Sequence, residues 1–168
     1  LHLRANVFSY HDLDDPWVKR LRISPMEAIA EALPRLERLA GRLRVRGAIK
    51  IRPVDLIATE NAVQPGIALV GDAFSTACPV SGTGASKALL DAERLCNVHV
   101  PAWLATPGMS SDKISTFYRD PQKVAFDAEC VRIARYRRAV STQTTARWAL
   151  HRWRVMAARR LKAKLLGM

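Results

Sequence analysis

Hydrophobic and polar residues alternate along the first third of the chain. The stretch 1–10 alternates loosely enough to predict a half-buried strand. Residues 43–46 and 48–52 alternate around Gly47, which predicts two short strands or one strand broken at a bulge. Residues 66–70 form an uninterrupted apolar run, which favours a central parallel strand covered on both faces.

Helical spacing and capping residues predict the remaining elements. Ser24 precedes Pro25, Glu27 completes a capping box and Gly41 is the matching stop, so one amphipathic helix is expected between them. The same signals predict four more helices: about 83–95, 111–118, one opened by the Asp120-Pro121 pair, and about 144–166. No internal repeat and no low-complexity linker interrupts this order.

Composition limits the class of protein. The 168 residues are 49% hydrophobic and 25% charged, which is typical of one folded domain. The three cysteines form no CxxC pair and the four histidines have no ligand spacing, which excludes a disulfide scaffold and predicts no metal. The chain has no signal peptide and no apolar run of the ~18 residues that a membrane span needs, so a cytoplasmic location is expected. The start at Leu1 suggests a piece of a longer protein.

Positive charge is concentrated at the end of the chain. The net charge is +12, and residues 131–168 hold 11 basic and no acidic side chains, interleaved with apolar residues that include Trp148 and Trp153. Such a segment suits a C-terminal helix packed on its own domain, peripheral membrane contact through residues 131–168, or a protein or nucleic-acid partner. Because no recognised nucleic-acid motif accompanies it, nucleic acid is not favoured.

The segment 66–84 carries the most informative chemistry. A buried strand is expected to end in Gly71-Asp72, and a carboxylate in that position needs donors that the hydroxyls of a sugar or polyol would supply. Gly82 and Gly84 permit a close backbone approach or positive φ, and the helix start after them favours negative charge. The residues therefore predict a loop that binds a polyol and an anion.

This loop resembles a known cofactor motif. The order Gly71-Asp72-Ala73, Pro79 and Gly82-Thr83-Gly84, with Asp91 further on, is similar to the second FAD-binding motif of flavin-dependent monooxygenases of the para-hydroxybenzoate hydroxylase fold. The resemblance implies that Asp72 binds the ribityl or ribose hydroxyls, and that amides of 79–84 stabilise negative charge on the reduced flavin ring. It implies cofactor-binding roles, but no catalytic role, for Gly71, Asp72, Ala73, Pro79, Gly82, Thr83 and Gly84.

The resemblance also implies a fold. The expected class is α/β, namely the C-terminal portion of a FAD-binding, glutathione-reductase-like Rossmann-type fold with part of a substrate-binding β-sheet, followed by C-terminal helices. Residues 1–60 would end the substrate-binding sheet and its covering helix, and residues 61–98 would hold the Gly-Asp motif strand, loop and helix. Residues 99–168 would form the C-terminal helical region with its basic tail.

The implied function is that of a flavin-dependent oxidoreductase, most simply a monooxygenase. NAD(P)H would reduce FAD, O2 would add to the reduced flavin, and one oxygen atom would pass to a small organic substrate. The Gly-x-Gly-x-x-Gly and Asp-Gly motifs of such enzymes are missing, so the segment needs the N-terminal FAD-binding half of the same protein and is not expected to act alone. The alternatives are a reductase or halogenase of the same fold, or a non-enzymatic module that binds a membrane or partner through its basic helix.

Other polar residues receive simpler interpretations. Asp91 is interpreted as a polar or capping partner, and Lys87 and Arg94 as solvated helix residues. Cys78 is interpreted as a small buried thiol, and Cys96 and Cys130 as core residues. A Ser-His-Asp nucleophile system stays open, although the chain has no Gly-x-Ser-x-Gly elbow.

Overall fold

The regular structure of the chain is helical. The computed structural model describes residues 6–165, without the side chain of Leu39. The helices of this part are α1 Pro16–Ile23, α2 Pro25–Ala32, α3 Leu36–Ala40, α4 Gly84–Arg94, α5 Val100–Leu104, α6 Ser111–Tyr118, α7 Pro121–Thr142 and α8 Ala146–Leu165. The chain divides into two compact units, 1–55 and 56–168.

The predicted α/β class is wrong for the described residues. They are 61% helix and 3% strand, and form no sheet, so neither the Rossmann-type sheet nor the substrate-binding sheet is present in this part. The extended pairings there are two isolated bridges, Ala58 with Ser75 and Gln64 with Ile67. A strand exists only through hydrogen bonds to a neighbouring strand, which an alternating pattern does not supply by itself.

Each predicted strand falls outside regular structure. Residues 43–46 and 48–52 have no assigned strand, and 66–70 contain only the bridge at Ile67. Residues 6–10 of the first predicted strand are not in a strand, and 1–5 lie outside the described residues. Apolar runs without partner strands therefore remain irregular.

The first unit is built on a pair of short helices. Asp15 caps α1 by accepting a hydrogen bond from the Trp17 amide at 2.7 Å, a helix start that the sequence analysis did not predict. Val18 and Ala28 are buried where α1 meets α2, and the Trp17 indole donates to the Ala28 carbonyl at 3.0 Å. The cap and this small apolar contact hold the two helices together.

The helix predicted from Ser24 to Gly41 is broken in two. Leu33 has φ −131° and ψ 65°, and Pro34 follows it. Proline has no amide hydrogen and disfavours a helical conformation in the residue before it, so α2 ends and α3 begins after the break. The stop at Gly41 is confirmed, with φ +74°.

The second unit has a small, largely aromatic core between α5 and α6. Trp103, Ile114 and Phe117 are buried at its centre, and Val70 from the irregular segment before α4 packs against them. The predicted helix 111–118 is confirmed as α6, and the predicted start of α7 is confirmed because Asp120 caps it. A π-helical turn, Leu95–His99, joins α4 to α5 just before Pro101, which lacks the amide hydrogen of a regular helix.

Candidate functional site

The segment with the FAD-like motif is a compact loop. Two 3-10 turns, Gly71–Ala73 and Pro79–Ser81, are followed by Gly82 in the left-handed region at φ +71° and then by α4. We call residues 71–84 the Gly-Asp loop. It contains all seven residues for which the sequence resemblance implies cofactor binding.

Asp72 lies at the exposed surface of the Gly-Asp loop. Its Oδ1 accepts a hydrogen bond from the Ala77 amide at 3.1 Å. The Ala77 Cβ lies 3.7 Å from the position that a Cβ would occupy at Gly84, the first residue of α4. The loop therefore brings the Asp72 carboxylate and the start of α4 into one neighbourhood.

The start of α4 has no side-chain cap. The Ser81 hydroxyl donates to the Cys78 carbonyl at 2.6 Å, so the Thr83 hydroxyl donates to Ser81 Oγ at 2.7 Å. Thr83 is the N-cap residue but makes no capping hydrogen bond to α4. The first amides of α4 consequently retain the positive partial charge of a helix N-terminus.

Gly71 anchors the loop to α4 through both of its backbone polar groups. Its amide donates to Asp91 Oδ2 at 2.8 Å, and its carbonyl accepts from Lys87 Nζ at 3.1 Å. Gly71 has φ +56°, and a Cβ built there would lie 3.1 Å from the Ala88 Cβ. Only glycine meets both the backbone angle and the close approach to α4 without strain.

Beneath the loop lie four charged side chains, which we call the ion cluster: Lys87, Asp91, Lys123 and Asp127. Lys123 Nζ is 3.0 Å from Asp91 Oδ1 and 3.0 Å from Asp127 Oδ2. Lys87 Nζ is 3.3 Å from both Asp91 Oδ2 and Asp127 Oδ1. The two ammonium groups balance the two carboxylates, and Lys123 Nζ also lies 4.3 Å from the centre of the Phe74 ring.

The ion cluster is structural because its most buried members already have partners. The Asp91 side chain is 1% exposed and accepts from Gly71, Lys87 and Lys123. A buried charge is tolerated only when it is paired and hydrogen-bonded in this way. The interpretation of Asp91 as a polar partner is confirmed, and that of Lys87 as a solvated residue is wrong.

A second polar network surrounds Asp120. The guanidinium of Arg94 donates to Asp120 Oδ2 at 2.8 Å, and His99 Nε2 lies 3.0 Å from the same oxygen. Arg94 chiefly holds the pKa of the Asp120 carboxyl well below its usual range, and the Lys123 and Gln122 amides and His99 act in the same direction, while burial opposes them. Arg94 is therefore a partly buried ion-pair partner, and its interpretation as a solvated residue is wrong.

This second network resembles a nucleophile triad but has the wrong hydrogen bonds. Thr116 Oγ1 lies 3.2 Å from His99 Nδ1, and the other ring nitrogen of His99 lies 3.0 Å from Asp120 Oδ2. The Thr116 hydroxyl, however, donates to the Lys113 carbonyl at 2.6 Å and accepts from the Trp103 indole at 3.2 Å. Its proton is directed away from the histidine, so the arrangement does not activate the hydroxyl for nucleophilic attack.

The cysteines occupy three different environments. Cys130 is buried, as predicted, whereas Cys96 is exposed and the prediction that it is a core residue is wrong. Cys78 is half-buried within the Gly-Asp loop. Within residues 6–165, no three His, Cys, Asp or Glu side chains are grouped in a way that could hold a metal ion.

Comparison with known proteins gives no assignment. No protein-family model, no curated protein and no solved structure matches this chain. Within the described residues, none of the helices combines the length and apolar composition needed to cross a bilayer. The cofactor-binding roles of the Gly-Asp loop residues therefore stay predictions.

Proposed function

We propose that the chain is the C-terminal segment of an FAD-dependent oxidoreductase of the monooxygenase type, and that the Gly-Asp loop forms one wall of its FAD site. The observation that carries the proposal is the adjacency of Asp72 and the uncapped start of α4, bridged by Ala77. One group accepts hydrogen bonds from hydroxyls, and the other stabilises negative charge. FAD presents both kinds of group, on its ribityl chain and on its reduced ring.

Asp72 is suited to bind hydroxyl groups in this proposal. It is exposed and uses Oδ1 to accept from the Ala77 amide, which fixes the direction of the carboxylate. Hydrogen bonds from hydroxyls to an ionised carboxylate are about twice as strong as neutral ones. Asp72 thus selects a polyol rather than a phosphate, which its negative charge would repel.

The start of α4 is suited to the electron-rich ring edge. The amides at Gly84 and the next residues carry the positive end of the helix dipole, and Gly82 in the left-handed conformation turns the chain into this helix without a Cβ above it. FAD, when bound, supplies the redox chemistry between NAD(P)H, O2 and a small organic substrate. The loop residues orient the cofactor and offset its charge.

The proposal assigns the pyrophosphate of FAD to the N-terminal half of the same protein. Such enzymes bind the pyrophosphate with Gly-x-Gly-x-x-Gly, which this sequence lacks. Among the described residues, 67–70 belong to no sheet and Ile67 is 53% exposed, so Ile67 offers apolar surface to that half while Val70 packs on the core.

The test is titration of FAD into the apoprotein made from its full gene, followed by flavin fluorescence. Because Asp72→Ala removes the charged acceptor, we expect FAD to bind roughly 10- to 150-fold more weakly, which corresponds to the ~1.5–3 kcal/mol of a hydrogen bond to a charged group. Asp72→Asn, which retains an acceptor, should lose less. The matched control is Asp112→Ala, which removes another exposed aspartate at the start of α6.

The outcomes are distinct. Weaker binding in Asp72→Ala with unchanged binding in Asp112→Ala supports the proposal. Equal affinity in the parent protein, Asp72→Ala and Asp112→Ala would remove Asp72 from the site, and an apoprotein that takes up no FAD would overturn the flavin assignment. Release of an oxygenated product, with O2 consumed as NAD(P)H is oxidised, would separate a monooxygenase from a reductase or halogenase.

A further inference from the structure

One side of α8 packs on α7. The Tyr136 hydroxyl lies 2.8 Å from His151 Nε2, and the Tyr136 and Trp148 rings are 6.3 Å apart. Arg152 donates to the carbonyls of Val140 and Gln143 at 3.2 and 2.7 Å. These contacts fix which side of α8 faces its neighbour.

The opposite side of α8 is exposed and carries large apolar residues. Leu150, Trp153 and Leu161 are 55%, 64% and 61% exposed, and their positions share one helical face. Burying such side chains gains free energy, so a row of them on a charged helix is unusual unless something covers them.

Basic residues lie on the same exposed side. Arg154, Arg160 and Lys164 are all exposed and lie within a turn of the apolar residues. A shallow groove runs along this side between Trp153, Leu161, Arg160 and Lys164. We call this surface the outer face of α8, defined by Leu150, Trp153, Arg154, Arg160, Leu161 and Lys164.

The charge around this face has one sign. The described part of the segment beyond residue 130 contains no acidic side chain, so nothing within it neutralises the outer face of α8. A partner that covers the face must be negatively charged and must also accept leucine and tryptophan. An anionic lipid surface offers both, because its headgroups carry the charge and its acyl boundary accepts apolar side chains.

We propose that the outer face of α8 binds an anionic membrane surface. The helix lies parallel to the surface, with Trp153 and Leu161 at the acyl boundary. The long stems of Arg160 and Lys164 pack beside them while their charged ends reach the lipid phosphates. A nucleic acid fits less well because bases can stack on Trp153 but not on Leu150 or Leu161, which make up the rest of the apolar row.

The experiment is co-sedimentation of the full chain with vesicles. We expect binding to phosphatidylcholine vesicles that contain phosphatidylserine and much weaker binding to phosphatidylcholine alone. Each basic residue near an anionic surface contributes about fivefold in affinity, so Arg160→Ala with Lys164→Ala should weaken binding roughly 30-fold. Trp153→Ala with Leu161→Ala should weaken it at least tenfold, because their apolar area stays in water.

Control variants separate this face from the rest of the surface. Leu104→Ala and Arg119→Ala remove an exposed apolar and an exposed basic residue outside α8 and should bind as the parent does. Trp153→Phe keeps the apolar contact and should bind within about twofold while losing part of the tryptophan blue shift on binding. Helical circular dichroism of each variant verifies that it is folded.

Each other result overturns the proposal. No sedimentation with anionic vesicles, or equal sedimentation with both kinds, excludes an anionic membrane as the partner. Suppose that only Arg160→Ala with Lys164→Ala weakens vesicle binding and that single-stranded RNA competes fully with the vesicles. The face then binds polyanions, and its apolar side chains do not enter the lipid. Loss of binding in Leu104→Ala or Arg119→Ala would show that the contact lies elsewhere.

Discussion

At the scale of single residues, Asp91 is a buried carboxylate that accepts hydrogen bonds from three partners within the second unit. It links Gly71 of the Gly-Asp loop to Lys123 of α7, and its side chain is fully buried. Asp91→Asn leaves two buried ammonium groups short of one negative charge. We expect the free energy of unfolding in urea to fall by about 3–5 kcal/mol, as when one partner of a buried ion pair is removed.

The matched control for this prediction is Asp112→Asn at the exposed start of α6. It should change the free energy of unfolding by less than about 0.5 kcal/mol. If Asp91→Asn is as stable as the parent protein, the ion cluster does not hold the loop on α4 and α7. An unchanged dependence of the free energy of unfolding on urea concentration verifies that both variants undergo the same unfolding transition as the parent.

Two glycines of the Gly-Asp loop distinguish backbone strain from crowding. Gly71 and Gly82 both have positive φ, but only at Gly71 would a Cβ meet a neighbour, the Ala88 Cβ at 3.1 Å. Gly82→Ala should lower stability by about 1–2 kcal/mol through the left-handed backbone alone. Gly71→Ala should lower the free energy of unfolding by at least about 1 kcal/mol more than Gly82→Ala does. Equal losses of stability in thermal unfolding of the two variants would contradict the close packing of Gly71 on α4.

The sequence contains only part of the signal for these residue-level features. The pairs Lys87–Asp91 and Lys123–Asp127 are both spaced i,i+4, which is visible in the sequence and typical of an exposed helix surface. Their burial depends on bringing Asp91 next to Lys123, 32 residues away. Because the sequence does not show that long-range contact, the local i,i+4 spacing favours a solvated Lys87, which the structure contradicts.

At the scale of elements, Asp120 determines where α7 begins and how it responds to acid. Its pKa is lowered from 3.8, first by Arg94, so folding favours the ionised form. The stabilisation is complete above the unfolded-state pKa and is lost as pH falls below about 4 toward the lower folded-state pKa. We expect Asp120→Asn, which keeps the helix cap, to have a shallower loss of stability between about pH 5 and pH 2.

Thermal unfolding across that pH range measures this effect. Asp14→Asn, which replaces an exposed aspartate in the first unit, should follow the parent curve. The difference in stability between Asp120→Asn and the parent should shrink as pH falls. A difference that grows instead would contradict the prediction that ionised Asp120 stabilises the fold. Asp120→Ala, which also removes the helix cap, should have a free energy of unfolding about 1 kcal/mol lower than that of Asp120→Asn.

The starts of α6 and α7 were predictable from the sequence because their signals are local. The helical pattern of 111–118 and the Asp120-Pro121 pair before α7 each place a start within a few residues, and both starts are confirmed. The outcome at 66–70, where the predicted strand does not form, was not predictable in the same way, since a strand depends on hydrogen bonds to another segment. In the described residues, Val70 packs on the core of Trp103 and Phe117 instead.

At the scale of the whole molecule, two features of different chemistry lie within the second unit, residues 56–168. The Gly-Asp loop combines a carboxylate with a helix start, and the outer face of α8 combines basic with apolar side chains. The glycines and Asp72 of the loop are visible in the sequence, whereas its support by Asp91, Lys87 and Lys123 is visible only in the structure. The exposed side of α8 likewise required knowledge of which residues contact α7.

The central claim is that the Gly-Asp loop contributes to an FAD site. The most direct measurement is the visible absorption spectrum of the protein purified from its full gene, with and without Asp72→Ala. The account predicts bound-flavin bands at ~370 and ~450 nm in the parent protein that are lost from the variant after gel filtration. A folded, colourless parent protein that gains no such bands when FAD is added would contradict it.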